Sequence, residues 1–111
     1  MKSLSDVYKL NDGREIPCVG FGTYLSRDGE ECYDAVREAL KIGYRHVDTA
    51  AFYANEQSVG AAIRDSGIKR DDVFVTTKVW NDDQGYDNTM RAFEKSYKNL
   101  GLDYIDLYLI H

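Results

Sequence analysis

The sequence predicts an α/β domain built on a parallel sheet, and two regularities support this fold class. Short apolar segments typical of buried strands alternate with longer amphipathic segments typical of helices, and a glycine follows each helix. Three strand centres, Val47, Val75 and Leu107, are 28 and 32 residues apart, about the length of one strand–helix–strand repeat. Such connections are right-handed, so the carboxyl ends of the strands are expected on one edge.

The chain is expected to open with a β-hairpin, because Asn11, Asp12 and Gly13 form a tight-turn signal between two extended segments. The predicted strands are residues 7–10, 14–17, 19–24, 44–50, 73–79 and 104–110. The predicted helices are residues 28–42, 55–66 and 86–100. Asp28 is the expected N-cap of the first helix, and Glu31 completes a capping box with it.

Each predicted helix carries an apolar stripe at three- and four-residue steps, which indicates the face that packs on the sheet. The predicted stripe residues are Cys32, Ala35, Val36, Ala39 and Leu40 in the first helix, Val59, Ala62 and Ile63 in the second, and Met90, Phe93, Tyr97 and Leu100 in the third. Three packed helices on one sheet are enough for a single domain.

Composition favours a soluble globular domain and leaves small-molecule chemistry open. Hydrophobic residues make up 43% of the 111 residues and charged residues 30%, and the net charge is -5 at pH 7. This acidic balance argues against nucleic acid or an anionic membrane as a partner. The amino terminus lacks the apolar core of a signal peptide, and the chain contains no long apolar run, so a cytoplasmic location is expected. Cys18 and Cys32 form no CxxC motif and are expected to be free thiols.

The parallel arrangement predicts that seven side chains capable of chemistry meet at one edge of the sheet. They are Tyr24, Asp48, Tyr53, Lys78, Trp80, Asn81 and His111. Taken singly, each has an ordinary explanation, such as packing for a tyrosine or a structural hydrogen bond for a histidine. Their convergence at the ends of consecutive parallel strands is what favours an active site.

The group suits the reduction of a carbonyl. Asp48 and Lys78 end neighbouring strands and are expected to form an ion pair, which places the Lys78 ammonium near Tyr53. A cation favours ionisation of a phenol, so Tyr53 becomes a usable general acid, and His111 can donate a hydrogen bond to the same substrate oxygen. No side chain delivers a hydride, so a nicotinamide or flavin cofactor is required.

Three segments, GYRHVDTAAFYANE at 43–56, TTKVW at 76–80 and DLYLIH at 106–111, resemble the aldo-keto reductases, especially the bacterial branch that reduces small aldehydes and diketones. The resemblance spans essentially the whole chain. It implies a (β/α)8 TIM barrel, of which residues 1–111 would be the first half, with the hairpin, four parallel strands and three helices forming a single domain.

The resemblance also implies residue roles. Tyr53 would donate the proton, Lys78 would activate it, Asp48 would anchor Lys78, and His111 would orient the substrate. The cofactor-binding residues implied are Gly22, Thr23, Tyr24 and Asp48, and the substrate-binding residues are Tyr24, Trp80, Asn81 and His111. NADPH is the implied cofactor, with NADH not excluded, a small carbonyl compound is the substrate, and no metal is expected.

A complete barrel of this kind needs about 250 residues. We therefore expect this chain to be the amino-terminal half of a longer, monomeric enzyme, without the residues that grip the adenosine phosphates. An isolated half would expose apolar surface and the edge of its last strand, so it is expected to self-associate.

Other interpretations remain open at this point. The 111 residues alone are equally compatible with an inactive fragment or folding module. A metal-dependent hydrolase on the same barrel would use His46, Asp48 and His111 as ligands, although His46 is more simply a packing residue. A short-chain dehydrogenase is disfavoured, because the chain has no GxGxxG turn and its tyrosine and lysine are not four residues apart on one helix.

Overall fold

The computed structural model describes residues 3–4 and 6–111, and it begins with the predicted hairpin. Strand β1, Val7–Lys9, pairs antiparallel with β2, Glu15–Pro17. The Leu10 amide donates to the Arg14 carbonyl at 2.7 Å, and Gly13 has a φ of 89° that favours glycine. The turn signal at Asn11 to Gly13 is therefore confirmed.

The second sheet contains four parallel strands in the order β3-β4-β5-β6. They are β3 Phe21–Gly22, β4 His46–Asp48, β5 Phe74–Val79 and β6 Leu107–Ile110. The predicted α/β class and the common strand direction are confirmed. All four strands are shorter than predicted, because regular pairing stops where the partner strand stops. Single backbone hydrogen bonds, such as Thr49 N to Thr76 O at 2.9 Å, continue beyond the paired residues.

Three helices connect consecutive strands of this sheet. They are α1 Glu30–Ile42, α2 Glu56–Asp65 and α3 Tyr86–Leu100. Short 3-10 helices occupy Ala51–Tyr53, Arg70–Asp72 and Asn81–Asp83. Within the described ranges, none of the helices has the length and apolar character needed to cross a bilayer.

The predicted capping box at the start of α1 is wrong. Gly29 is the N-cap, and the Asp28 carboxylate instead accepts hydrogen bonds from the hydroxyl and amide of Ser58 at 2.5 and 3.3 Å. Glu31 turns back to the amide of Arg27 at 2.5 Å. Asp28 is thus used to fasten the loop before α1 to α2, a tertiary contact that outweighs the local capping preference.

The core lies between the parallel sheet and the helices. Val47 and Val75 from the two central strands are fully buried, together with stripe residues such as Val36, Leu40 and Val59. Burial also raises the pKa of the Cys32 thiol to about 11. Both cysteines are free thiols, as predicted.

Helices α2 and α3 approach each other closely at one glycine. A Cβ atom added to Gly60 would lie 1.7 Å from the Leu100 carbonyl oxygen, so a side chain cannot be accommodated there without moving a helix. Next to it, the Arg64 guanidinium donates to the carbonyl of Leu100 at 2.5 Å and to that of Gly101 at 3.2 Å. A cation on these carbonyls satisfies the end of α3 and complements its dipole.

Candidate active site

The centre of the site is an ion pair between neighbouring strands. The Lys78 ammonium lies 2.8 Å from Asp48 Oδ2 and 3.0 Å from the Thr49 carbonyl oxygen. Both charged side chains lie on the sheet face opposite the helices and are only 15% and 31% exposed. With two oxygens around it, the ammonium is held in one position at the carboxyl end of the sheet.

Tyr53 is brought to this pair by the 3-10 helix that follows β4. Its hydroxyl is 3.4 Å from Lys78 Nζ, which lies 5.0 Å from the centre of the phenol ring. Directly afterwards Ala54 adopts a left-handed conformation, with φ 58° and ψ 30°, and turns the chain into α2. For a residue with a side chain this conformation costs about 1–2 kcal/mol, a strain of the kind often found beside functional groups.

Aromatic rings surround the phenol. The centre of the Tyr53 ring is 5.3 Å from the Tyr24 ring and 5.7 Å from the His111 ring, and His111 is 5.5 Å from Trp80. Phe52 stacks on Trp80 with ring centres 3.9 Å apart and 20° between the planes. Phe52 was not among the predicted site residues, although its position immediately before Tyr53 was a usable signal.

Not every predicted site residue reaches this cluster. Gly22 ends β3 with its backbone exposed, but Thr23 is fully buried and its hydroxyl donates to the Asp48 carbonyl at 2.9 Å. The Thr23 side chain is therefore committed to the protein interior. Asn81 is exposed in the next 3-10 helix and accepts a 3.4 Å hydrogen bond from Gln84, and no described contact joins it to Tyr53.

His46 lies on the same face of β4 as Asp48 but is engaged in packing. Its Nε2 is 2.9 Å from the Thr76 hydroxyl, and its ring meets Phe74 edge-on at 5.1 Å. Burial lowers the pKa of His46, which favours the neutral ring. Across the described part of the chain, no three acidic, histidine or cysteine side chains are grouped as metal ligands. These contacts favour the packing interpretation over the hydrolase.

The residues also fit the polar end of a dinucleotide. Asp48 uses Oδ2 for Lys78, while its Oδ1 accepts no hydrogen bond from any described residue. A Cβ atom added to Gly22 would meet nothing within 4 Å, so open space adjoins this strand end. A carboxylate acceptor beside bare backbone suits an amide or sugar hydroxyl, whereas the cluster itself contains proton donors but no hydride donor.

Comparison with known proteins gives a consistent result. Residues 18–111 match the model of the "Aldo/keto reductase family". A glyoxal reductase of Bacillus subtilis is 52% identical over 109 residues, an alignment that covers 98% of this chain and 40% of the relative. The crystal structure of an aldo/keto reductase from Brucella melitensis is similar with a TM-score of 0.91 and 57% identity, over 96% of this chain and 41% of that one.

A third relative was solved with a cofactor. It is a Bombyx mori aldo-keto reductase in complex with NADP, with a TM-score of 0.89 and 43% identity, covering 98% of this chain and 38% of the other. The chain thus spans about two fifths of the length of these relatives. Its four parallel strands and three helices form part of an α/β barrel, as the sequence predicted.

Proposed function

Because this chain belongs to the aldo/keto reductase family, we propose that residues 1–111 form the amino-terminal half of a barrel oxidoreductase. The complete enzyme would reduce aldehydes or ketones with NADPH. The observation that carries this proposal is the position of Lys78 Nζ, 2.8 Å from Asp48 and 3.4 Å from the Tyr53 hydroxyl. A phenol, an ammonium and a carboxylate in this order form a proton-donating relay.

Tyr53 is the proposed proton donor to the substrate oxygen. The Lys78 ammonium next to the phenol stabilises the phenolate that remains after the proton has left. Asp48 keeps the ammonium in place, and the Thr49 carbonyl fixes its second hydrogen bond. General acid catalysis of this kind contributes about 10²–10⁴-fold to a rate.

His111 is proposed to orient the substrate carbonyl beside Tyr53 and to stabilise the negative charge that develops on its oxygen. Its ring is edge-on to those of Tyr53 and Trp80, with 86° and 89° between the planes, so it lies beside the phenol at the carboxyl end of the sheet. Tyr24, Trp80 and Phe52 supply apolar walls that suit a small carbonyl compound. Asn81, in the exposed 3-10 helix after β5, is a further proposed substrate contact.

The cofactor supplies the hydride. Gly22 and Tyr24 with the free Oδ1 of Asp48 would hold its nicotinamide end, while Thr23 supports them from the interior. NADPH is proposed over NADH because the Bombyx mori relative was solved with NADP. The Bacillus subtilis relative is named a glyoxal reductase, which favours small aldehydes as substrates.

For residues 1–111 alone we propose an inactive, self-associating module. His111 is exposed, and the open face of the sheet leaves Leu109 40% and Ile110 74% exposed. A complete protein of this kind is proposed to be a monomer in the cytoplasm, with a small carbonyl compound as its only substrate partner and no nucleic acid or membrane contact.

The decisive experiment uses a chimera in which these 111 residues replace the matching two fifths of the Bacillus subtilis relative. We expect the chimera to oxidise NADPH in the presence of glyoxal. Tyr53→Phe should lower kcat by about 10²-fold or more with an unchanged Kd for NADPH, because only the transferable proton is lost. Tyr8→Phe, in the exposed β1, is the matched control and should retain full activity.

Two results would contradict this proposal. One is a chimera that is folded by circular dichroism but does not consume NADPH with any of several small aldehydes. The other is a Tyr53→Phe chimera whose kcat stays within about threefold of the parent, since the phenol would then transfer no proton.

A further inference from the structure

Asn55 occupies the N-cap position of α2 but does not cap the helix. Asparagine is among the strongest N-cap residues, yet the Asn55 side chain makes no capping hydrogen bond. The residue is fully buried. A buried amide must find its partners elsewhere, and those partners reveal what it does.

All the hydrogen bonds of the Asn55 side chain leave α2. Its Nδ2 donates to the carbonyls of Thr23 at 2.9 Å and Ser26 at 3.0 Å, which uses both N–H groups. Its Oδ1 accepts from the Thr49 hydroxyl at 2.6 Å and, more weakly, from the Thr23 hydroxyl at 3.5 Å. One side chain therefore joins the loop after β3 to the end of β4.

Both ends of this bridge touch the site. Thr49 presents its carbonyl oxygen to Lys78 Nζ at 3.0 Å. Thr23 donates its amide and its hydroxyl to the Asp48 carbonyl at 3.1 and 2.9 Å. Tyr24, which follows Thr23, lies against the Tyr53 ring. The buried Asn55 side chain thus connects this loop to the residues that contact Asp48 and Lys78.

We propose that Asn55 is a positioning residue that clamps loop 23–26 against the Asp48–Lys78 pair and so holds the loop in shape for the nicotinamide end of the cofactor. The part that concerns the cofactor rests on the proposed function. The clamp itself rests on the four hydrogen bonds and on the burial of the amide.

Ser58 provides a matched control, because it holds the far end of the same connection. Its hydroxyl donates to Asp28 and accepts from the Gly29 amide at 2.6 Å, and no described contact joins it to Thr23 or Ser26. Ser58→Ala removes buried hydrogen bonds of the same kind without touching the clamp. Asn55→Asp keeps an acceptor for Thr49 and a good N-cap but loses both N–H donors.

Amide hydrogen exchange in the chimera tests the clamp independently of activity. We expect Asn55→Asp to accelerate exchange across residues 23–26 by about tenfold, since each lost buried hydrogen bond is worth about 1 kcal/mol or more. Ser58→Ala should accelerate exchange only near residues 28–29. Equal protection of residues 23–26 in Asn55→Asp and in the parent would overturn the proposal.

Steady-state kinetics and NADPH binding test the proposed effect of Asn55 on the cofactor. Asn55→Asp should raise the KM and Kd for NADPH by about tenfold and change kcat by less than about threefold. Ser58→Ala should lower Tm but keep the KM within about twofold. An active Asn55→Asp chimera with the parental KM would overturn the cofactor role, whereas an inactive parent chimera would contradict the proposed function and leave the exchange result to decide the clamp.

Thr49→Val serves if Asn55→Asp does not fold. Valine has the shape of threonine but cannot donate to Asn55 Oδ1, and the Thr49 carbonyl that binds Lys78 is retained. We expect the same pattern at reduced size, about threefold in exchange and in KM. Parental exchange and parental KM in this variant would also overturn the proposal.

Discussion

Two groups of neighbouring strands and helices differ in how completely their residues are buried, and we call them the inner side and the outer side. The inner side consists of β4, β5, α1 and α2, and α2 alone buries six of its ten residues. The outer side consists of β6 and α3, and the fifteen-residue α3 buries only Ser96 and Leu100 while β6 buries none of its residues. Both helices are amphipathic, so the difference lies in their neighbours rather than in their own sequences.

This difference shows that an apolar stripe predicts a packing face but not its burial. Of the predicted α3 stripe, Met90 is 49% and Tyr97 40% exposed. The Tyr108 hydroxyl on β6 is buried without a hydrogen-bond partner in the described chain, and burial raises the pKa of that phenol. Among the described residues, α2 is the helix that packs against α3.

The site is divided along the same boundary. Asp48, Tyr53 and Lys78 belong to the inner side and are joined by hydrogen bonds within 3.4 Å. His111 follows β6 and is exposed, and its amide reaches the Val79 carbonyl at 3.3 Å. The proposed proton donor and its partners are therefore joined by side-chain hydrogen bonds in this chain, whereas the proposed orienting residue lies at an exposed strand end.

The largest expected effect comes from a substitution at the contact between α2 and α3, where the inner and outer sides meet. Gly60→Val would force β-carbon atoms into the Leu100 carbonyl, and we expect it to lower the free energy of unfolding by about 3 kcal/mol or more. Urea unfolding followed by circular dichroism measures the loss. Gln57→Val, at an exposed position of α2, is the control and should cost under about 1 kcal/mol. Equal losses would mean that the helices separate at little cost.

A matched pair of leucines sharpens the comparison. Leu40 on α1 is 1% exposed and Leu109 on β6 is 40% exposed. Leu40→Ala should cost about 2–5 kcal/mol in the 111-residue chain, and Leu109→Ala under about 1 kcal/mol. Urea unfolding at several protein concentrations checks both values. A cost at Leu109 that increases with protein concentration would agree with the proposed self-association, because another copy would then cover this residue, whereas an equally large cost at every concentration would contradict its exposure.

The smallest effect is a pH dependence that arises on the inner side. Burial raises the pKa of Cys32 from 9.0 to about 11, so the folded chain keeps a neutral thiol where the unfolded chain ionises. This contribution is complete below pH 9 and is lost as the pH rises towards 11. Cys32→Ala should therefore flatten the alkaline decrease in stability relative to the parent chain. Thermal unfolding between pH 8 and 11 distinguishes the two.

Local patterns were sufficient to predict the order and direction of the elements. The bounds of α3, residues 86–100, agree with the prediction because the helix lies between two glycines and its stripe is regular. The lengths of the strands were not predictable in the same way. Regular pairing depends on where the neighbouring strand ends, and this is not encoded in the strand itself.

The site was predictable to the extent that strand direction determines it. Asp48 and Lys78 both end parallel strands, so their proximity followed from topology. The sequence pattern places Asn55 at the start of α2, whereas its hydrogen-bond partners are as many as 32 positions away in the sequence. The wrong cap at Asp28 has the same origin, because Ser58 lies 30 positions away. Hydrogen bonds between side chains that are far apart in the sequence cannot be predicted from the periodicity of one helix or strand.

The parallel register of β6 places the free edge of the sheet beside the proposed site. Leu109 stands opposite Lys78 and Ile110 opposite Val79, so β6 offers its other backbone edge in line with the relay. A strand that pairs in parallel with that edge would bring its last side chains next to His111. A fifth strand at this edge would therefore contribute side chains to the proposed substrate site.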